Sequence, residues 1–155
     1  DGETPIYPST TLTIAEAITN QIEKDFQAKE PLKPHKVDRT LVAELNGNMK
    51  YYVWAINNRV WPNNTPLYVK EGERVELVFV NKTAMAHPMH LHGHVFQVVE
   101  IDGKKFSGAI RDTILVMPRQ TVKVQFDANN PGIWAMHCHI SYHLWAGMFT
   151  VIAYE

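Results

Sequence analysis

The sequence predicts an all-β sandwich or barrel, and three observations carry that prediction. From Arg39 on, apolar and β-branched residues gather in short runs of strand length, among them Arg39–Leu45, Tyr51–Asn57, Leu67–Val69 and Arg74–Val80. Turn-forming clusters separate the runs: Asn46-Gly47-Asn48, Asn57-Asn58, Glu71-Gly72-Glu73, Asp102-Gly103-Lys104 and Asn129-Asn130-Pro131-Gly132. The stretch Glu73-Arg74-Val75-Glu76-Leu77-Val78-Phe79-Val80 alternates as a half-buried strand does. Short strands at this spacing belong to sandwiches and barrels.

Taken in chain order, residues 1–38 read as an extension or linker. Pro5 and Pro8 keep its start extended. Ile14, Ile18, Ile22 and Phe26 recur at helical spacing, so a helix over roughly residues 14–29 is expected, capped by Thr11 or Thr13. Pro31 and Pro34 end it, and His35 in this Lys/Pro segment is read as solvated. Residues 39–155 form one domain. After the four runs already named, its strands are His90–Ile101, Ile110–Val116, Thr121–Phe126, Gly132–His139 and Met148–Tyr154.

Composition removes several classes of function. A chain of 155 residues suits one domain with a real core. A net charge of −1 makes no electrostatic case for nucleic acid or an anionic membrane. No apolar run approaches a membrane span. Asp1-Gly2-Glu3-Thr4-Pro5 has neither a charged nor an apolar leader segment. That start fits a removed signal or an internal piece of a longer chain. One cysteine excludes an intrachain disulfide. Seven of the eight histidines fall between residues 87 and 143, and that clustering is the informative departure.

Two segments hold those histidines. In His137-Cys138-His139, followed by His143 and Met148, the only cysteine sits between imidazoles with a thioether ten residues on. Two His, one Cys and a weak axial Met suit a redox-active copper. The other segment is His87-Pro88-Met89-His90-Leu91-His92-Gly93-His94. Strand parity sorts both. Successive side chains of a strand point to opposite faces. Cys138 therefore faces one way, where His87, His143 and Met148 can join it. His137 and His139 face the other, where His90 and His92 can join them. One metal would sit on each face. Zinc fits less well: structural zinc sites use paired cysteines, and a histidine-only zinc site leaves Cys138 and Met148 unexplained. His94 is read as lying near the ligands or at the surface. Met89, Met117 and Met136 are expected in the core. Trp134, Tyr142 and Trp145 are expected to pack around the cysteine site. Asp112 is read either as a carboxylate beside a ligand or as a turn residue.

These two segments resemble the multicopper oxidases, the group of laccases, ascorbate oxidase and bacterial copper-resistance oxidases. The likeness runs through His87-Pro88-Met89-His90-Leu91-His92-Gly93-His94-Val95-Phe96 and through Asn130-Pro131-Gly132-Ile133-Trp134-Ala135-Met136-His137-Cys138-His139 to His143 and Met148. It implies a cupredoxin-like Greek-key β-sandwich or barrel, the C-terminal domain of such an oxidase. It also implies that His87, Cys138 and His143 bind type 1 copper, with Met148 axial. His90 would bind type 2 copper, and His92, His137 and His139 the type 3 pair. In that family a small reducing substrate, whether a phenol, an aromatic amine or Cu(I), gives electrons to type 1 copper. They pass through Cys138 to His137 and His139, and the trinuclear cluster reduces O2 to water. An exported location, periplasmic or extracellular, follows from the same resemblance.

The family's cluster takes eight histidines. This chain has His-x-His only at His90–His92 and His137–His139. The other four ligands would come from an N-terminal cupredoxin domain carrying two further His-x-His motifs, in the same precursor or another subunit. A homo-oligomer repeats the same shortage. The chain alone is therefore expected to be inactive as an oxidase. Two other readings stay open: a single-copper electron-transfer cupredoxin, and a copper nitrite reductase, which lacks His-Cys-His.

Overall fold

The computed structural model describes residues 19–155. Two sheets face each other across an apolar core. One holds seven strands in the order β2-β1-β4-β10-β6-β7, with β8 also on β6, and the other holds five in the order β3-β12-β11-β5-β9. The first sheet comprises β1 (Arg39–Asn48), β2 (Val53–Ile56), β4 (Arg74–Asn81), β6 (Phe96–Ile101), β7 (Lys104–Lys105), β8 (Ile110–Arg111) and β10 (Thr121–Asp127). The second comprises β3 (Leu67–Val69), β5 (His87–Leu91), β9 (Thr113–Val116), β11 (Ile133–Cys138) and β12 (Phe149–Tyr154). β1 pairs parallel with β4, and β3 parallel with β12, while the other ladders are antiparallel. The chain changes sheet repeatedly, as a sandwich with Greek-key connections requires. This is the all-β, cupredoxin-like fold expected from the sequence.

Alternation explains the core. On β10, Val122, Val124 and Phe126 are buried while Thr121, Lys123, Gln125 and Asp127 are partly exposed. They meet Leu77 and Phe79 of the same sheet and Met89, Leu91, Met136 and Ile152 of the other. Each fully buried large side chain contributes about 1.5–3 kcal/mol from burial. One face of β5 and β11 joins this core: His87, Met89 and Leu91 of β5, and Met136 and Cys138 of β11, are buried.

Two expectations need correction. The run His90–Ile101 is not one strand. β5 ends at Leu91, the chain bends over residues 92–95, and β6 begins at Phe96 in the other sheet. Gly93 makes the bend with φ +70, a backbone region that side chains rarely tolerate. Likewise Ile110–Val116 divides at Asp112 into β8 and β9, one in each sheet. Periodicity could not reveal either break: His92-Gly93-His94 and Arg111-Asp112-Thr113 are polar stretches of a kind that also occurs within exposed parts of strands.

Part of the helix expected over roughly residues 14–29 lies outside the described residues. Within them, residues 19–29 hold only a four-residue 3-10 turn, Gln21–Lys24, and its Ile22 is 56% exposed. Side-chain hydrogen bonds won over helical spacing here. Asn20 is buried, donating to the Leu115 carbonyl and pairing with Gln120. Glu23 pairs with Arg111, and the Leu32 amide donates to Gln97. Residues 20–38 thus run as a strap along the first sheet. His35 is 53% exposed, as expected of a solvated residue. Among the described residues no helix is long and apolar enough to cross a membrane.

The bend at Gly93 leads to a stability prediction. A Cβ there would come 2.2 Å from Cδ2 of Trp134, whose indole is pinned by donating to the Asn130 carbonyl. Gly93→Ala combines that overlap with an unfavourable φ, so it should cost about 2–4 kcal/mol of unfolding free energy. Denaturant midpoints measure this, and a midpoint within about 0.5 kcal/mol of the parent would contradict it.

Candidate metal centre

Two clusters of candidate ligand side chains occupy opposite faces of the same strand pair. The antiparallel ladder of β5 and β11 sets Cys138 opposite Met89 and His137 opposite His90. Cross-strand partners share a face. The Cys138 pair therefore points into the core, and the His137 pair points outward.

On the inner face, His87 Nδ1 and His143 Nδ1 lie 3.1 Å apart, and Cys138 Sγ is 3.6 Å from each. Among the described residues, these are the three that place donor atoms within 4.8 Å of one another. A point in their plane equidistant from all three lies about 2.0 Å from each, close to the usual metal–nitrogen and metal–sulfur bond lengths of about 2.0–2.3 Å. Two imidazoles and a thiolate in a trigonal set match the blue-copper donor pattern. The residues present therefore fit a copper ion. Met148 is fully buried in the same loop.

Local structure holds this loop in shape. After β11, α1 (Ser141–Trp145) makes little more than one turn and carries His143 on its buried side. The Met148 amide donates to the His143 carbonyl, and the Cys138 amide donates to the Met148 carbonyl. These bonds close residues 138–148 on themselves. Gly147 takes φ +112, and a Cβ there would strike Val60. Trp54 of β2 covers both rings, with centroids 4.1 Å from His143 and 5.1 Å from His87. Behind His87, its Nε2 meets the Thr83 hydroxyl at 2.8 Å.

On the outer face, His90, His92, His137 and His139 form a second group. Ring centroids are 4.6 Å apart for His90–His92, 5.2 Å for His92–His137, 5.7 Å for His90–His139 and 6.1 Å for His137–His139. His92 and His139 are exposed, and His90 and His137 half-buried. Strand ends position them: the His92 amide donates to the Ala135 carbonyl, and the His139 amide to the Pro88 carbonyl. Two tautomers follow from carbonyl acceptors. His90 Nδ1 donates to the Asp112 carbonyl at 2.9 Å, and His137 Nδ1 to the Cys138 carbonyl at 3.0 Å. Each ring then keeps a bare Nε2 for a metal. Phe149 stacks on His137 at 5.8 Å.

All eight ligand residues expected from the sequence thus lie in one or other group, the Met148 side chain being placed by burial and loop position. His94 belongs to neither. It is buried, with Nε2 2.7 Å from the Tyr154 hydroxyl and its ring against Phe126 and Tyr154. Met89 and Met136 are core, and Met117 is half-buried. Asp112 is exposed but touches His90, chiefly through its carbonyl. The expected packing role of Tyr142 and Trp145 is overturned: they are 75% and 84% exposed, because α1 buries His143 and turns its other side to solvent. Trp134 is half-buried over Gly93. Sequence reading missed Trp54, Asn81, Thr83 and Thr113. The spacing Asn81-x-Thr83-x3-His87, two short polar residues just before a ligand, was the available signal for two of them.

Burial controls the protonation of these groups. It pushes His87 down to about 4, with the neighbouring His143 adding to the effect. Burial likewise lowers His92, His94, His137 and His143. It pushes the Cys138 thiol up to about 11. The imidazoles are thus neutral and ready to donate, whereas a metal has to displace the thiol proton.

The family model for the multicopper oxidases matches residues 34–155. The chain is 46% identical over 114 residues to multicopper oxidase MmcO of Mycobacterium tuberculosis, covering 74% of this chain and 22% of that protein. It is 37% identical over 135 residues to copper resistance protein A of Pseudomonas syringae pv. tomato, covering 85% of this chain and 20% of that protein. The crystal structure of McoA multicopper oxidase from Aquifex aeolicus superposes with TM-score 0.69 at 28% identity, over 81% of this chain and 31% of that one. The chain spans about a fifth of the length of these two curated relatives.

The shifted histidines make stability depend on acid. An unfolded imidazole titrates near 6.5 and His87 near 4, so between those values the unfolded chain binds more protons. The copper-free chain should hold full stability above about pH 6.5 and lose on the order of 3 kcal/mol from His87 alone as pH falls to 4. His87→Leu should flatten the slope. Denaturant midpoints across this range test it, and equal slopes for parent and variant would exclude His87 as the cause.

Proposed function

Because this chain belongs to the multicopper oxidase family, we propose that it is the C-terminal part of an oxidase that passes electrons from a small reducing substrate to O2. Type 1 copper would be held by His87, Cys138 and His143, with Met148 as a further, weak donor. His90 would serve type 2 copper, and His92, His137 and His139 the type 3 pair. Bound in these places, copper supplies one-electron acceptance at the buried site and oxygen reduction at the cluster.

The observation that carries this reading is the reversal of direction between adjacent residues of β11. Cys138 points inward to two imidazoles, and His137 points outward to three. A covalent path of a few bonds therefore joins the two faces. The chain's own residues supply the rest. Cys138 gives a thiolate, the neutral His87 and His143 give Nδ1 lone pairs, and Trp54 keeps water from both rings. His90 and His137 present Nε2 because carbonyls hold their Nδ1 protons.

Only half of an eight-histidine cluster is supplied. An N-terminal cupredoxin domain with two His-x-His motifs, in the same precursor or another subunit, would complete it over the exposed outer face. We place the assembled protein outside the cytoplasm, in the periplasm or beyond the cell. A single-copper carrier would leave the four outer imidazoles without a role.

Loaded with copper, the 155-residue chain should show the intense blue thiolate absorption, and Cys138→Ser should abolish it. Oxygen-electrode traces should show negligible consumption until the complementing domain is added. Robust oxygen consumption by this chain alone would refute the half-cluster argument. Met148 gives a second test. Even a weak thioether donor stabilises Cu(II) more than an apolar side chain does, so its removal should raise the potential. Redox titration of Met148→Leu should show a higher midpoint than the parent, and an unchanged midpoint removes Met148 from the set of donors.

A further inference from the structure

We propose that Thr83 is a positioning residue that fixes which nitrogen of His87 faces the copper site. The proposal rests on the type 1 reading above and adds to it residues that lie outside the ligand set.

Hydrogen-bond accounting carries the argument. Asn81, the last residue of β4, and Thr83, two residues beyond it and before His87, are both buried, 1% and 5% exposed. The Asn81 amide nitrogen faces three carbonyls, those of Met85 at 2.7 Å, Met117 at 3.0 Å and Val116 at 3.1 Å. Carbonyls only accept, so this side carries the NH2 group and the orientation of the amide is settled. Its oxygen then faces Thr83 and accepts from both the Thr83 amide and the Thr83 hydroxyl, each at 2.9 Å. A hydroxyl has one proton and two lone pairs. The Thr83 proton has two oxygen acceptors within reach, Asn81 Oδ1 and the Met85 carbonyl at 3.1 Å.

The two lone pairs of Thr83 then meet two donors. One is the Met85 amide at 3.1 Å, and the other is His87 Nε2 at 2.8 Å. Every lone pair and proton of the hydroxyl is used only when His87 Nε2 carries the proton. A neutral imidazole has one, so Nδ1 is bare, and Nδ1 is the atom that lies 3.1 Å from His143 and 3.6 Å from Cys138. The reverse tautomer would take the Thr83 proton from its oxygen acceptor and leave one hydroxyl lone pair empty in a buried setting. The network presets the ligand atom before any metal arrives.

The test uses the 155-residue chain and nitrogen NMR of the copper-free protein, which distinguishes Nδ1–H from Nε2–H imidazoles directly. His87 should be in the Nε2–H form in the parent and in Thr83→Ser, which keeps the hydroxyl. Thr83→Val should mix or reverse the tautomers. It should also weaken Cu(II) binding about 10–100-fold in competition titrations, with the blue absorption retained at saturating copper. A parent His87 carrying its proton on Nδ1 overturns the proposal without any variant, so a misfolded Thr83→Val still leaves a decision. Native tautomer and native affinity in a folded Thr83→Val overturn it as well. If the parent never develops the blue absorption, the type 1 reading fails. If the absorption is present and Thr83→Val changes nothing, only the role of Thr83 fails.

Discussion

The antiparallel pairing of β5 with β11 is the constraint on which the rest depends. Its register sets Met89 against Cys138 and His90 against His137. A slip of one residue would turn every side chain of one strand over. Cys138 would then leave the core and His137 would enter it. Both clusters would be lost together, because they are the two faces of one ladder. The neighbouring pairings hold that register. β5 is also fixed to β9, which brings Thr113 beside His90, and β11 to β12, which brings Phe149 over His137.

The inner cluster is a compromise within an otherwise apolar core. Two imidazoles and a thiol take positions that Leu or Val would fill with more burial energy. Their protonation shows the strain of this placement, since both imidazoles resist protonation and the thiol resists ionisation. Polar support is given to only part of it. Asn81 and Thr83 satisfy the far side of His87, whereas His143 is held mainly by packing against Trp54 and by the short turn of α1.

Much of this was legible in the sequence, and the physical reason is the period of two along a strand. Parity alone separates Cys138 from His137 and His139, and His87 from His90. What parity cannot show is where a strand stops. The bend at Gly93 depends on a backbone angle, and the switch of sheet at Asp112 depends on pairings with distant residues. Nor does local pattern show which side of a five-residue helix meets the core. Hence Trp145, an apolar residue close to His143, was expected inside and lies outside. Asn20 escaped for a related reason. Its burial is decided by Gln120 and Leu115, about a hundred residues away.

The open outer face has a practical side. Four imidazoles with neighbouring ring centroids about 6 Å apart or less, two of them exposed, form the kind of surface that chelating chromatography resins capture. The fold thus carries a built-in affinity handle on the face that the proposed complementing domain would cover. Retention on a nickel resin becomes a gauge of assembly, strong while that face is bare and weak once it is closed.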